Sequence, residues 1–422
     1  MTIEAMAGLV PSGTAAIDAI LDAVRLHLGM EIAFAARYVG DSGAGGRREF
    51  THIRTDLPVP QRPGDSEPND ETYCWHVLHG RLPELIADAA DHPLAQTLPI
   101  TAALPVGCHL DVPLRLRDGQ VYGSFCCLSR TPDRTLNERD LATLRAFAGL
   151  AMAQIQQQVD ADQGRAGLIA SMRGALDTGQ PTMLLQPVHR MSDGTGVGAE
   201  ALARFADAAV RPPSDWFAQA ATIGMGEELE LAAVRGALAT LGHVPAPCYL
   251  AINVSPAVAV STALGRMLAP VPAGRILLEV TEHAAIDDWR TLQTALQPLR
   301  GHVRIAIDDV GAGYAGLRHI LELRPDVLKL DIGLTRDVDR DPARQALIGA
   351  MVQFAGQIGA DIVAEGVERD GERRTLAALG IRYGQGWLFS RALPPVVASR
   401  MLLGVSEPEP LLAEPTEHAA AA

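Results

Sequence analysis

Lysine is nearly absent from this chain. Lysine and arginine together number 36 in 422 residues, and Lys329 is the only lysine among them. Aromatic residues make up 4% of the chain, and its formal charge is -14 without a basic stripe. Nucleic-acid polymers are usually bound by basic surfaces and stacking aromatic rings, so no nucleic-acid partner is expected. A small anionic ligand remains compatible with this composition if a local site supplies the positive charge.

Paired cysteine motifs and long apolar runs are missing as well. The five cysteines include the adjacent Cys126 and Cys127 but no CxxC spacing, which favours reduced thiols over a disulfide framework or a structural zinc site. No apolar run approaches the roughly 20 residues that a membrane helix needs, and the N-terminus has no basic region of the signal-peptide type. We therefore expect a cytoplasmic protein without a membrane partner.

The chain is long enough for two or three domains. Its first part mixes helix and strand, with a hairpin predicted about Asp118 and Gly119 and an amphipathic helix that starts near residue 137 and continues toward residue 176. Its Pro-, Glu- and Ala-rich end is expected to be disordered. We predict a multidomain protein with an α+β domain over 1–158, a connecting helix over 159–176, an α/β barrel over 177–404 and a tail over 405–422.

Strand-like and helical segments alternate after about residue 180. Eight short apolar segments, mostly separated by helical ones, favour a TIM-like (β/α)8 barrel over an open sheet. The predicted strands are TMLLQPVH, GVGAEALARF, CYLAINVSP, RILLEVTE, VRIAIDDVG, DVLKLDIG, ADIVAEGV and YGQGWLFS.

Seven successive predicted strands carry polar or charged residues at their C-terminal ends. In such barrels these ends meet at one rim, where catalytic groups lie. Each charge alone is equally well explained by a satisfied salt bridge, but together they are costly to bury unless they bind metal. The residues are Glu200, Asn253, Glu279 with Glu282, Asp308 with Asp309, Lys329, Glu365 and Gln385.

The carboxylates of this set predict divalent cations. Five or more carboxylates on one rim repel one another strongly unless cations lie between them. Oxygen ligands without cysteine or histidine select Mg²⁺ or Mn²⁺, with Ca²⁺ as a non-productive competitor. The consecutive Asp308 and Asp309 can serve two ions about 3.5 to 4 Å apart, which suits in-line hydrolysis of a phosphodiester.

Lys329 lies among these residues. Arginine serves at every other basic position, so a generic positive charge would not require lysine here. An ammonium is a compact charge with three donors, and it fits beside a phosphate oxygen or a water where a planar guanidinium does not. We therefore expect Lys329 to act in the site.

The barrel resembles the EAL domain family of cyclic-di-GMP phosphodiesterases over about residues 166–404. The motifs occur in family order and read QPV, EALAR, NVSP, LEVTE, DDVGAGY, KLD, AEGVE and QGWLFS. The resemblance implies a homodimer that opens one phosphodiester of cyclic di-GMP to linear pGpG with two Mg²⁺ or Mn²⁺ ions. No GGDEF-type cyclase motif is present, so synthesis is not expected.

The resemblance also implies a role for each matching residue. The predicted ligands of the first metal are Glu200, Asn253, Glu279 and Asp308, and those of the second are Asp308 and Asp309. Lys329 and Glu365 would position and activate the water, with Glu365 as general base, while Gln385 would support that network and Glu282 would brace the loop after the strand VRIAIDD. The predicted contacts of the dinucleotide are Gln186, Leu202 and Arg204, with Arg204 on a phosphate.

One loop departs from the family pattern. The family usually has an aromatic residue after the aspartate pair and serines after the tyrosine, where this chain has Val310, Ala312, Ala315 and Gly316. In the family the loop links the metal site to the dimer interface, so the change bears on regulation or rate more than on ligation. Two alternatives stay open: a receptor that binds cyclic di-GMP without cleaving it, and a barrel enzyme that uses Lys329 to abstract a proton beside a carboxylate.

The first part resembles the GAF family over most of residues 12–158. The segments that carry the resemblance are ETYCWHVLHGRLPELIADAADHP, VPLRLRDGQVYGSFCCLS and DLATLRAFAGLAMAQI. GAF domains bind small ligands or dimerise, and we expect this one to regulate the barrel, with its ligand unknown. Cys74 with His76, or Cys108 with His109, could attach haem or bilin, although core packing explains these residues better.

Overall fold

The computed structural model describes residues 13–40, 45–206, 211–280, 289–311 and 316–405. Contacts divide the chain into two compact units, 1–166 and 167–422. The division falls inside one helix of 40 residues, α5 (Glu138–Asp177), which confirms the predicted continuation of that helix toward residue 176. The predicted tail lies outside the described residues except for Val405.

The first unit is built on an antiparallel sheet of six strands in the order β3-β2-β1-β6-β5-β4. A hairpin about Asp118 and Gly119 joins the fifth and sixth strands, as predicted, and Gly119 has the positive φ of 86° that the turn requires. The strands are β1 (Ile32–Val39), β2 (Arg47–Thr55), β3 (Ser66–Pro68), β4 (Leu85–Ile86), β5 (Cys108–Arg115) and β6 (Val121–Ser129).

Helices cover both faces of this sheet. On one face, Leu21 of the first helix and Leu144 of α5 pack against β-strand residues such as Phe125, and all three are fully buried. On the other face lies a smaller apolar cluster that includes Phe34, Phe50 and Cys74. The helices besides α5 are α1 (Thr14–His27), α2 (Tyr73–Leu78), α3 (Pro93–Thr97) and α4 (Pro99–Ala103).

The second unit is a closed barrel of eight strands in the order β10-β11-β12-β13-β14-β7-β8-β9. Strands β8 to β14 run parallel, whereas the first strand is antiparallel to both of its neighbours. A short turn joins the first two strands, and only antiparallel strands can be joined so closely. The strands are β7 (Thr182–Arg190), β8 (Gly196–Arg204), β9 (Tyr249–Val254), β10 (Ile276–Val280), β11 (Arg304–Val310), β12 (Val327–Leu330), β13 (Asp361–Ala364) and β14 (Tyr383–Gly384).

Helices surround the barrel and bury its outer face. They pack on the outward side chains of the strands, for example Leu250, Leu278 and Leu328, which are fully buried. The helices are α6 (Pro213–Ile223), α7 (Gly226–Ala239), α8 (Pro256–Ala259), α9 (Thr262–Leu268), α10 (Trp289–Leu296), α11 (Gly316–Leu323), α12 (Ile332–Thr335), α13 (Pro342–Ile358), α14 (Asp370–Ala378) and α15 (Pro395–Leu402). The predicted TIM-like barrel is confirmed, with one reversed strand.

Alternation along the strands divides the barrel interior into two layers. Successive side chains of a strand point to opposite faces, so residues two apart share the interior. The lower layer is apolar and contains Ala251, Leu277, Ala306, Val327 and Val363. Two positions further along each strand, the upper layer is polar and contains Asn253, Glu279, Asp308, Lys329 and Glu365. The same pleat that buries the core therefore carries the polar residues to one rim.

Among the helices that the structure describes, none combines the length and the apolar character that crossing a bilayer requires.

Candidate active site

Lys329 is the centre of the polar layer. Its ammonium Nζ lies 2.7 Å from Glu365 Oε1, 2.9 Å from Glu279 Oε2 and 3.0 Å from Asp308 Oδ1. A fourth carboxylate oxygen, Glu200 Oε2, lies 3.5 Å away. The lysine is only 1% exposed, so its alkyl chain is enclosed by the barrel while its charged end meets four carboxylates. One cation therefore opposes four acidic groups.

Three amides extend this cluster toward the reversed strand. Asn253 Nδ2 donates a hydrogen bond of 2.7 Å to Glu200 Oε1, and Gln385 Nε2 donates one of 2.8 Å to Glu200 Oε2. The same Gln385 amide is 3.0 Å from Gln186 Oε1, and Gln186 Nε2 donates to the Ser390 carbonyl at 3.0 Å. Glu200 on β8 is thus oriented by two donors, one from the adjacent strand β9 and one that follows β14, which only β7 separates from β8.

The aspartate pair lies where β11 leaves its regular pairing. The register with β12 shifts between Ile307 and Val310, and Asp309 has a positive φ of 56°. This left-handed conformation is uncommon for residues other than glycine and is several-fold enriched for aspartate. It ends the regular alternation, so that carboxylate oxygens of Asp308, Asp309 and Glu365 all lie within 4.8 Å of one another. Neighbouring carboxylates so close together form a candidate site for a hard cation.

Burial and neighbouring charges shift the pKa values of three glutamates in the cluster. Burial raises the pKa of Glu365 to about 7, although the Lys329 ammonium opposes the rise. Burial likewise raises the pKa of Glu279 well above its usual range. For Glu200, burial alone would raise the pKa, but Lys329 and the amide donors lower it. The acidic groups carry more negative charge than one lysine neutralises, so burial and repulsion favour the protonated forms of Glu279 and Glu365 when no cation is bound.

A pocket of about 350 Å³ opens above this cluster. Its walls include predicted residues, Gln186, Glu200, Asp308, Glu365 and Gln385, and also residues that the sequence reasoning did not assign, namely Ile332, Gly366, Glu368, Gly386 and Trp387. Trp387 is 62% exposed, and the Arg391 guanidinium lies 4.6 Å from its ring centre. The sequence signal that could have identified Trp387 is its place two positions after Gln385 in the QGWLFS motif, since aromatic residues are rare in this chain.

Not every predicted residue belongs to this pocket. Leu202 and Arg204 line a neighbouring groove together with Asn253, and Arg204 donates a hydrogen bond of 2.8 Å to the Ala203 carbonyl. Glu282 lies outside the described residues, and so do Ala312 and Ala315 of the loop that departs from the family. Val310 is buried at the end of β11, and Gly316 begins α11. The structure thus brings together nine of the predicted residues around one cluster: Gln186, Glu200, Asn253, Glu279, Asp308, Asp309, Lys329, Glu365 and Gln385.

Two protein-family models match this chain. The EAL domain model matches residues 169–392, more than half of the chain. The chain belongs to the EAL domain family. The GAF domain model matches residues 13–155. Both resemblances that the sequence motifs indicated are therefore confirmed, and the chain carries a GAF domain before its EAL domain.

Relatives with assigned names are similar to part of this chain. The cyclic di-GMP phosphodiesterase RocR of Pseudomonas aeruginosa is 32% identical over 241 residues, which are 54% of this chain and 61% of that protein. The probable cyclic di-GMP phosphodiesterase PdeB of Escherichia coli is 30% identical over 222 residues, which are 50% of this chain and 42% of PdeB. The chain thus matches less than two thirds of the length of either relative.

A solved structure shares the fold over a longer stretch. The EAL enzyme Bd1971, solved with cAMP and cyclic di-GMP bound, is 17% identical to this chain, with a TM-score of 0.51. The match covers 89% of this chain and 95% of that one. At this identity the likeness concerns the fold alone.

Proposed function

We propose that this EAL protein is a divalent-metal-dependent phosphodiesterase that hydrolyses one phosphodiester bond of cyclic di-GMP to give linear pGpG. The observation that carries the proposal is the cluster of carboxylates around the ammonium of Lys329 at the mouth of a pocket. The names of RocR and PdeB, which are similar over the EAL domain, support the choice of substrate.

The charges of the cluster fit two divalent cations. Five carboxylates, those of Glu200, Glu279, Asp308, Asp309 and Glu365, oppose one ammonium, which leaves an excess of four negative charges when all are ionised. Two divalent cations would balance this excess, and oxygen donors without cysteine or histidine select Mg²⁺ or Mn²⁺. Bound there, such ions polarise phosphoryl oxygens and lower the pKa of the attacking water.

The ligands divide as the family resemblance implies. Glu200, Asn253, Glu279 and Asp308 would hold one ion, and Asp308 with Asp309 would hold the other. Asp308 would serve both, because its carboxylate contacts Lys329 in the buried cluster and also lies within 4.8 Å of an oxygen of Asp309. Gln385 keeps Glu200 oriented through its 2.8 Å hydrogen bond. Glu282 would brace the loop after β11.

Glu365 and Lys329 act on the attacking water. Glu365 has a pKa of about 7 in the cation-free cluster, so its carboxylate can take up the proton of the water near neutral pH. The 2.7 Å contact between Lys329 Nζ and Glu365 Oε1 holds this carboxylate in place. Burial alone would lower the pKa of Lys329, but the surrounding carboxylates raise it well above the usual value, which favours the charged ammonium in the cation-free cluster.

The pocket and the neighbouring groove give the dinucleotide two areas of contact. The exposed ring of Trp387 at the pocket wall offers a face on which a guanine can stack, and Gln186 offers an amide. Leu202 and Arg204 line the groove beside Asn253, where Arg204 can turn from the Ala203 carbonyl to a phosphate. We further propose a homodimer in which the GAF domain regulates cleavage through α5.

The test is an assay for conversion of cyclic di-GMP to pGpG with Mg²⁺ or Mn²⁺. The full chain is compared with Lys329→Ala, Glu365→Gln and the control Asp361→Asn, which changes a carboxylate at the opposite end of β13. We expect cleavage by the wild type and the control, none after chelation, and binding without cleavage by Glu365→Gln. A folded wild type that binds cyclic di-GMP without cleaving it would indicate a receptor, and one that ignores it would refute the proposal.

A further inference from the structure

The GAF domain brings four metal-binding side chains to one face of its sheet. His109 and Asp111 are two residues apart on β5 and therefore point to the same side. Cys126 is the partner of Asp111 on the adjacent strand β6. Helix α2 crosses this face and contributes Cys74, while Cys108 and Cys127 belong to the core on the opposite face. This arrangement could not be inferred from the spacing of the residues along the chain, because the four residues come from three separate elements.

The four side chains are fully enclosed, and Cys126 contacts two of the others directly. Cys74 Sγ lies 3.0 Å from Cys126 Sγ, and Cys126 Sγ lies 2.7 Å from Asp111 Oδ1. A ring nitrogen of His109 lies within 4.8 Å of both sulfur atoms. Cys74, Cys126 and Asp111 are 0% exposed and His109 is 1% exposed. Burying these polar atoms costs free energy unless each of them forms a hydrogen bond or binds a metal ion.

Two atoms of this group lack a partner. Within the described part of the chain, Asp111 Oδ2 and His109 Nδ1 are buried and accept or donate no hydrogen bond. Buried polar atoms are satisfied in the great majority of cases, and an unsatisfied one calls for an unseen ion or water. Two orphaned atoms beside a pair of touching thiols point to a ligand that all four side chains share.

We propose that Cys74, Cys126, His109 and Asp111 form a four-coordinate site for a divalent transition ion of the zinc class. Two sulfur donors, an imidazole and a carboxylate are ligands that such ions accept, whereas Mg²⁺ and Ca²⁺ prefer oxygen. Bonds of about 2.3 Å to sulfur and about 2.0 Å to nitrogen place tetrahedral ligand atoms about 3.5 Å apart. Ligand atoms of Cys74, Cys126 and His109 lie within 4.8 Å of one another, and Asp111, 2.7 Å from Cys126 Sγ, would supply the fourth ligand.

Arg48 supports the thiolate that such an ion needs. Its NH1 group lies 3.0 Å from Cys74 Sγ, and its NH2 group pairs with Glu67 Oε2 at 2.6 Å. A guanidinium beside a thiol favours the thiolate, which is the form that binds metal. The ring faces of Phe34 and Phe50 hold the guanidinium, with distances of 5.1 Å and 4.6 Å to their centres.

The neighbouring cavity favours an ion over a larger ligand. It has a volume of about 40 Å³ and is lined by Arg48 and His109 among apolar side chains such as Phe34 and Leu128. This volume holds about three water-sized groups, far fewer than a nucleotide or a tetrapyrrole requires. The residues considered for haem or bilin attachment have other surroundings. Cys108 packs in the core on the opposite face of the sheet, and His76 Nε2 lies 2.9 Å from the Asp70 carbonyl oxygen.

The test is titration of the reduced, chelator-treated full chain with Co²⁺, followed by absorption spectroscopy. We expect one equivalent to give an intense thiolate-to-cobalt charge-transfer band that Zn²⁺ then removes. The EAL site cannot produce this band because it contains no sulfur donor. Cys74→Ser combined with Cys126→Ser should abolish the band, and the control Cys127→Ser, on the same strand but the opposite face, should retain it.

A second variant keeps the test decisive if loss of the thiols prevents folding. His109→Gln leaves both cysteines and Asp111 in place, and it should weaken Co²⁺ binding by more than about tenfold while the band remains at saturation. Circular dichroism verifies the fold of each variant. The proposal is overturned if the reduced wild type shows no charge-transfer band, if the band survives in the folded double variant, or if His109→Gln leaves the affinity unchanged.

Discussion

Lys329 Nζ and Glu279 Oε2 lie 2.9 Å apart inside the barrel, and each side chain is 2% exposed. Neither partner has access to water that could replace the other. Breaking a buried pair by removing one partner is much more costly than losing a surface pair, because the remaining charge is left uncompensated. The pair therefore couples the stability of the barrel to the electrostatics of the site.

Replacing the lysine should destabilise the barrel. We expect Lys329→Met to lower the free energy of unfolding by about 3–5 kcal/mol at neutral pH without metal, since four carboxylates lose their common cation. Urea denaturation followed by fluorescence measures it. Arg382→Met, which removes an exposed partner of Asp361, should cost no more than about 1 kcal/mol. An equally small loss for Lys329→Met would contradict the expectation.

Cleavage should decline on acidification. Burial raises the pKa of Glu365 to about 7, and a base must be deprotonated, so the rate should rise with pH and then level off. Bound cations favour the carboxylate, which places the midpoint at or below about pH 7. A pH profile of kcat/KM with saturating Mn²⁺ tests this. Glu365→Gln should lower kcat by about 10²- to 10⁴-fold and abolish this acidic limb; persistence of the limb would assign it to another group.

Trp387 should contribute to binding more than to chemistry. Stacking of a base on an aromatic ring is worth about 1–3 kcal/mol, so Trp387→Ala should raise KM by about fivefold or more. Because the exposed ring lies at the wall of the pocket, kcat should change little. Steady-state kinetics separates the two constants, and Trp387→Tyr is the matched control that retains a stacking face. A fall in kcat at constant KM would show that the ring acts on the reaction itself.

Glu372 should stabilise the loop that follows Glu365. Its carboxylate accepts backbone N–H groups of Asp337, Glu368 and Arg369, each at 3.0 Å, and it is 1% exposed. We expect Glu372→Gln to cost about 1–3 kcal/mol of unfolding free energy, because an amide cannot accept all of these bonds. Urea denaturation provides the measurement. Asp370→Asn is the control, since this more exposed carboxylate pairs only with arginines.

The stability that Glu372 confers should also depend on pH. Burial alone would raise its pKa, but the three backbone donors outweigh burial and lower the pKa below the usual value. A lowered native pKa adds stability above the unfolded pKa of about 4.3, and that stability is lost as pH falls through the native value. The difference in unfolding free energy between wild type and Glu372→Gln should therefore shrink on acidification. A difference that is independent of pH would argue against the role of the charged carboxylate.

The rim of the EAL barrel was largely predictable from sequence. Apolar strands that each carry one polar residue near the C-terminal end are a local pattern, and in a parallel barrel these ends meet on one side. The pattern predicted the group around Lys329, and the structure places Glu279, Asp308 and Glu365 within 3.0 Å of its Nζ atom. The reversed direction of β7 was not predicted, because strand direction depends on pairing and not on the residues of the strand alone.

Sequence alone determined the strand pattern, the single lysine, and the families to which the two domains are similar, because each of these depends on residue order along the chain. Tertiary structure decided which groups touch. Trp387, which follows β14, lies at the wall of the pocket, whereas Arg204, at the end of β8, lines a neighbouring groove. Cys74, His109 and Cys126 lie together because a helix packs across two strands. Cys74 and Cys126 are 52 positions apart, so no local spacing predicts their contact.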